Sequence, residues 1–133
     1  MTSERPVNPR LNEDLRFEAK PGGPLRYRST TDKSVQYVTV VDAGGAVLGH
    51  AWANDEDDAA GWVTRKAGGP PAFNEGVLWS IRLHEAKEKG LHATEALAEL
   101  IRDGGAGGIG RVLPDSLTEA PNAPTVKALA DRA

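Results

Sequence analysis

Residues 35 to 54, Val-Gln-Tyr-Val-Thr-Val-Val-Asp-Ala-Gly-Gly-Ala-Val-Leu-Gly-His-Ala-Trp-Ala-Asn, decide the fold of this chain. β-Branched residues alternate with polar or small ones on both sides of Gly44-Gly45, a pattern typical of two strands joined by a hairpin. With Gly44 and Gly45 as the two central turn residues, Tyr37 lies opposite Trp52. The stretch therefore predicts an antiparallel strand pair with a defined register.

The two faces of this hairpin differ in character, because successive side chains of a strand point to opposite sides. The first face is small and aliphatic, and we predict that it packs against helices; it carries Val38, Val40, Val47, Gly49, Ala51 and Ala53. The second face is aromatic and of mixed polarity; it carries Tyr37, Thr39, Val41, Leu48, His50 and Trp52. Tyr and Trp rings combine an apolar body with a polar tip, which suits interfaces and pocket walls. The sequence leaves open whether Tyr37 and Trp52 form only a cross-strand pair or also line, with His50, a ligand site or a dimer surface.

Length and composition restrict the class of protein. A chain of 133 residues has the size of one domain. The absence of cysteine excludes disulfides and thiolate metal sites. With 16 basic and 19 acidic residues the formal net charge is −3, which makes nucleic-acid binding unlikely on electrostatic grounds. No apolar run has the length of a signal peptide core or a membrane span, so we predict a soluble, cytoplasmic protein without membrane association.

Three parts of the chain differ in their pattern. Residues 1–24 are rich in proline and glycine and are predicted to form a mobile N-terminal arm. Residues 25–113 are predicted to form a single domain, and residues 114–133 a proline-containing C-terminal segment that closes with a short helix. Within the domain, alternation predicts further strands over 25–31, 62–66 and 111–113, and apolar spacing predicts helices over 74–89 and 94–103.

These elements predict an α+β fold. We expect a small antiparallel sheet of three to four strands, centred on the Gly44-Gly45 hairpin and packed on one face by two helices. The N- and C-terminal segments are expected to be irregular.

Two local matches to ligand-binding motifs fail in their context. Gly105-x-Gly107-x-x-Gly110 has the spacing of a dinucleotide-binding loop, but it follows a helix instead of leading from a strand into one. Asp55-Glu-Asp-Asp58 begins like a calcium loop, but the later positions lack the required glycine and glutamate. We therefore predict no cofactor and no metal.

The segment from Ala86 through Gly90 to Thr94 resembles the helix-turn-helix pattern, in which a glycine corner joins two helices. The exposed positions of the second helix would include Glu95, Glu99 and a single Arg102. Two carboxylates suit a phosphate-facing surface poorly, so an ordinary helix pair is the simpler interpretation.

Three functions stay open from the sequence. The first is a non-enzymatic binding or regulatory module that self-associates as a homodimer through the sheet or binds another protein. The second is a small-molecule-binding protein or small enzyme, with a pocket between the aromatic face and the acidic segment and with His50 as the acid–base candidate. A helix-turn-helix-like DNA-binding regulator ranks last. The predicted binding residues are Tyr37, His50, Trp52, Asp55 and Asp58.

Overall fold

The computed structural model describes residues 26–132, so the predicted arm over residues 1–24 lies outside the described part of the chain. The strands are β1 (Val35–Val41), β2 (Val47–Asn54), β3 (Ala59–Thr64), β4 (Arg111–Val112) and β5 (Thr118–Ala120). The helices are α1 (Gly69–Glu88), α2 (Ala93–Asp103) and α3 (Ala123–Arg132), and a short 3₁₀ turn, Lys66–Gly68, precedes α1. None of these helices has the length and apolar character needed to cross a lipid bilayer.

The strands form one antiparallel sheet in the order β3-β2-β1. Both short strands, β4 and β5, pair with the outer edge of β1, β4 near its end and β5 near its start. β3 forms the opposite edge. The predicted α+β class with an antiparallel sheet is therefore confirmed.

The hairpin between β1 and β2 keeps the predicted register at Tyr37 and Trp52. Its turn is different, because Gly45 N–H donates to the Asp42 carbonyl and Asp42 N–H donates to the Ala46 carbonyl. The loop thus contains three residues, and Gly45 is the one of the two glycines with a positive φ, +89°. A two-residue turn centred on both glycines was the wrong expectation.

The longer loop has a consequence for the packing of β2. The register shifts between Val40 and Val41, which leaves Leu48 as an extra residue in β2. Such a bulge re-aims a side chain. Leu48 consequently joins the core on the first face and not the aromatic face where simple alternation had placed it.

Helices cover both faces of the sheet. α1 and α2 bury the aliphatic first face, and the core there is built from Val38, Val40, Ala51, Ala53, Trp79, Leu83, Leu97 and Leu100. α3 covers the second face, where Ala123 and Val126 pack with Val35, Trp52 and Ala59. The two helices predicted on the first face are α1 and α2, and the C-terminal segment adds β5 to the sheet and α3 to its second face, where it was expected to be irregular.

Prolines explain the errors at the helix starts. α1 begins at Gly69 instead of Asn74, with Pro70 and Pro71 in the first turn, where no backbone N–H is required. α3 likewise starts just before Pro124, and the Asn122 side chain accepts the Thr125 N–H at 2.9 Å. The strand predicted over 25–31 is reduced, within the described residues, to a single parallel bridge between Arg28 and Ala59.

Candidate functional site

A groove of about 960 Å³ runs along the β3 edge of the sheet, and we call it the β3-edge groove. β3 forms its floor, α1 forms one wall, and the start of α3 forms the other wall. Residues 26–30, which lead towards β1, line one end. Its main lining residues are Arg26, Thr30, Trp52, Gly61, Trp62, Val63, Thr64, Phe73, Val77, Ile81, His84, Glu85, Glu88, Pro124 and Lys127.

α1 lies along β3 and runs in the opposite direction. Near the end of α1, Lys87 forms an ion pair with Asp58, which directly precedes β3. In the middle of the helix, Gly76 contacts Trp62 of β3. This alignment follows from the antiparallel run of the chain through the short turn between the two elements, and it places one side of α1 above the sheet edge over the whole length of β3.

That side of α1 carries an exposed apolar stripe. Phe73, Val77 and Ile81 follow one another at intervals of four residues and are 64, 45 and 49% exposed. Residues at this spacing lie on one helix face. Contiguous apolar surface of this kind in a small protein marks an interaction site.

Trp62 is held in a slot between two glycines. A Cβ at Gly76 would lie 2.4 Å from the Trp62 ring, and a Cβ at Gly49 would lie equally close to it. The ring also stacks on Trp79, with centroids 5.7 Å apart, and its Nε1–H donates to Thr64 Oγ1 at 3.0 Å. These contacts fix the Trp62 indole between β3 and α1, below the apolar stripe.

The outer edge of β3 is only partly occupied. Ala60 N–H donates to the Arg28 carbonyl at 3.1 Å, which shows that the backbone groups of Ala60 point away from β2. Since these directions alternate along a strand, the N–H and C=O groups of Trp62 and Thr64 also point outward. Among residues 26–132 they have no backbone partner.

The groove lining contains charged side chains of both signs. Glu85 and Glu88 on the last turns of α1 carry negative charge, and Arg26 and Lys127 carry positive charge. On the opposite wall the Lys127 ammonium is 3.3 Å from Asp131. The exposed Lys66 lies outside the lining, just before the start of α1.

The predicted aromatic residues lie together on the second face, where Tyr37 is opposite Trp52, but only Trp52 reaches the groove. Trp52 is buried and contributes to the floor of the groove next to Gly61, whose missing side chain leaves room for the indole. Tyr37 and His50 are not in the groove lining; their rings meet edge to face at 5.6 Å. His50 Nδ1 lies 3.2 Å from Thr39 Oγ1, and burial lowers the pKa of His50 although a backbone hydrogen bond at Val38 opposes this.

The predicted acidic binding residues contact other parts of the chain. Asp55 accepts hydrogen bonds from the Thr94 N–H at 2.8 Å and the Thr94 hydroxyl at 2.6 Å, so it caps the start of α2. Asp58 holds Lys87. Within residues 26–132 no group of three His, Asp or Glu side chains is placed to hold a metal ion.

The sequence interpretation missed the groove itself. Val77 and Ile81 were counted with the apolar face of a helix laid on the sheet, and Phe73 was placed before the helix start. The width of the apolar face of α1 could have indicated the groove. The contact with the sheet is already made by the buried residues Ala72, Trp79, Leu83 and Ala86. A second apolar stripe beside them indicates a further contact.

Comparison of the chain with protein-family models, with curated proteins and with solved structures finds no match. The function of the groove must therefore be inferred from its own geometry.

Proposed function

We propose that this protein is a non-enzymatic interaction module that binds a protein segment in the β3-edge groove. The observation that carries the proposal is the juxtaposition of an edge strand and an exposed apolar stripe above it, and among residues 26–132 the outward backbone groups of Trp62 and Thr64 in that strand have no backbone partner.

This combination matches the requirements of strand addition. Backbone hydrogen bonds to a sheet edge supply affinity, and apolar side-chain sites beside the edge supply specificity. A protein that has no use for a free edge normally blunts it with charge, proline or a covering element. β3 is covered by Arg28 only at Ala60, and the next outward positions face apolar surface.

A display selection with random peptides tests the proposal. Peptides selected on the wild-type protein are expected to lose binding to Val77→Asp, because a carboxylate in the centre of the stripe would have to be desolvated. Ile109→Asp is the control, since Ile109 is an exposed apolar residue outside the groove. Failure to select peptides, or peptides that bind Val77→Asp and wild type equally, would contradict the proposal.

A small apolar molecule is the second candidate occupant. The groove volume of about 960 Å³ lies within the range of small-molecule sites, and the buried Trp52 contributes to its floor. A screen of apolar compounds by thermal melting would reveal this function as a rise in Tm that Val77→Asp abolishes and Ile109→Asp retains.

A further inference from the structure

We propose that the segment bound in the β3-edge groove is β3 of a second copy of this chain, in a two-fold dimer. This inference rests on the proposed function and names its partner. Three independent features of the groove are self-complementary about a single axis: the free backbone groups, the apolar stripe and the charges at the two ends of α1.

The first feature is the strand edge. Trp62 and Thr64 are the free outward residues, and the position midway between them is Val63. If two β3 strands pair antiparallel about Val63, Trp62 of each copy lies opposite Thr64 of the other. Directly opposed outward residues exchange both of their N–H···O=C bonds. The pairing then satisfies the outward backbone groups of Trp62 and Thr64, and it ends before Ala60, whose N–H is bonded to the Arg28 carbonyl.

The second feature is the helix stripe. α1 runs along β3 and contacts it between Gly76 and the Trp62 ring, so Val77, the next residue of α1, lies close to the middle of the edge segment centred on Val63. A two-fold axis perpendicular to the sheet keeps both α1 helices on one face, where they run antiparallel. Val77 then meets Val77 of the second copy, and Phe73 meets Ile81 on each side. Phe73 and Ile81 lie four residues before and after Val77, so the stripe extends equally far on both sides of Val77, as a contact between two identical surfaces requires.

The third feature is charge. In the same arrangement the region before α1 lies beside the end of α1 of the second copy. Lys66 lies in the 3₁₀ turn that precedes the first turn of α1, and Glu88 is the last residue of α1. Each Lys66 therefore approaches Glu88 of the second copy, and the dimer contains two pairs of opposite charge where a parallel arrangement would juxtapose like charges.

Cysteine cross-linking tests the axis directly, because the wild-type chain contains no cysteine. Val77→Cys places a thiol on the axis and is expected to form a covalent dimer under mild oxidation, since a disulfide requires Cβ atoms about 3.5–4.5 Å apart. Ile109→Cys is the control. Ile109 is 61% exposed and Val77 45%, so random collisions would favour the control over the test position.

A charge exchange tests the same geometry with surface variants that leave the core untouched. Lys66→Glu or Glu88→Lys alone is expected to weaken dimerisation at low ionic strength in light scattering, and the double variant to restore it. Faster cross-linking of Val77→Cys than of Ile109→Cys, together with this rescue, supports the dimer. Equal cross-linking of the two cysteine variants, or a wild-type protein that stays monomeric, overturns it.

The dimer and the binding function can fail separately. If the selected peptides require Val77 and the protein is strictly monomeric, the proposed dimer is wrong, and the proposed binding of a protein segment is supported. Absence of both cross-linking and peptide binding would overturn the two proposals together.

Discussion

The environment of Trp62 shows how single residues shape the groove. Its indole occupies the space that side chains at Gly49 and Gly76 would fill. Gly49 lies on the face that was predicted to pack against helices, but the group that occupies the space beside it is the Trp62 ring of the neighbouring strand. A small residue in a strand predicts a close approach without predicting what approaches.

Gly76→Ala is expected to lower the free energy of unfolding. Alanine favours a helix over glycine by about 1 kcal/mol, but its methyl group would overlap the Trp62 ring, and overpacking a core costs about 1–3 kcal/mol. Urea unfolding measures the sum, with Ser80→Ala at an exposed position of the same helix as control. A clear increase in the free energy of unfolding of Gly76→Ala would show that the space between Gly76 and the Trp62 ring can hold a methyl group, which would contradict this prediction.

His50 predicts a pH dependence of stability. Burial lowers the pKa of His50 in the folded state, so below the ordinary histidine pKa of about 6.5 protons bind preferentially to the unfolded chain. The free energy of unfolding is therefore fully present above that pH and falls as the pH decreases towards the folded-state pKa. Urea unfolding at a series of pH values is expected to show a shallower loss in His50→Gln. An unchanged slope in this variant would contradict the assignment.

At the scale of elements, the directions of backbone groups in β3 predict different effects of proline at adjacent positions. The Thr64 N–H points outward, so Thr64→Pro leaves the ladder to β2 intact and removes a donor needed for pairing with another strand. The Val63 N–H points towards β2, so Val63→Pro breaks the sheet. Circular dichroism and light scattering are expected to show a folded monomer for Thr64→Pro and an unfolded chain for Val63→Pro. A folded Thr64→Pro dimer would rule out pairing through this edge.

Elements with strong periodicity were predictable from the sequence. The β1–β2 pair, α2 and the body of α1 were predicted because their apolar residues recur at the spacing of a strand or of a helix with one buried face. A short terminal helix was predicted, but β5 and the packing of α3 on the sheet were not, because Pro114, Pro121 and Pro124 gave the segment an irregular pattern. Pro124 instead lies in the first turn of α3, a position that proline tolerates.

The candidate site was less predictable than the fold. Trp52 was expected at a binding surface and does line the groove, but the other walls come from α1 and α3. Which sheet edge stays free depends on β4 and β5 pairing with β1, and those pairings join residues far apart in the chain. Alternation within one hairpin contains no information about them.

At the scale of the whole molecule, the sheet is closed on both faces and on one edge. α1 and α2 cover the first face, α3 covers the second, and β4 with β5 covers the outer edge of β1. A dimer through the aromatic face, as the sequence had suggested, would have to displace α3. Pairing through the β3 edge requires no such rearrangement, because among residues 26–132 no backbone group pairs with Trp62 and Thr64 beside the apolar stripe.

Light scattering on wild type, Val77→Asp and Ile109→Asp over a range of concentrations measures self-association through the β3-edge groove. We expect wild type and Ile109→Asp to have twice the chain mass of 14.1 kDa and Val77→Asp to be a folded monomer. A wild-type protein that stays at the mass of a single chain at every concentration, or a Val77→Asp variant that dimerises like wild type, would contradict self-association through the β3-edge groove.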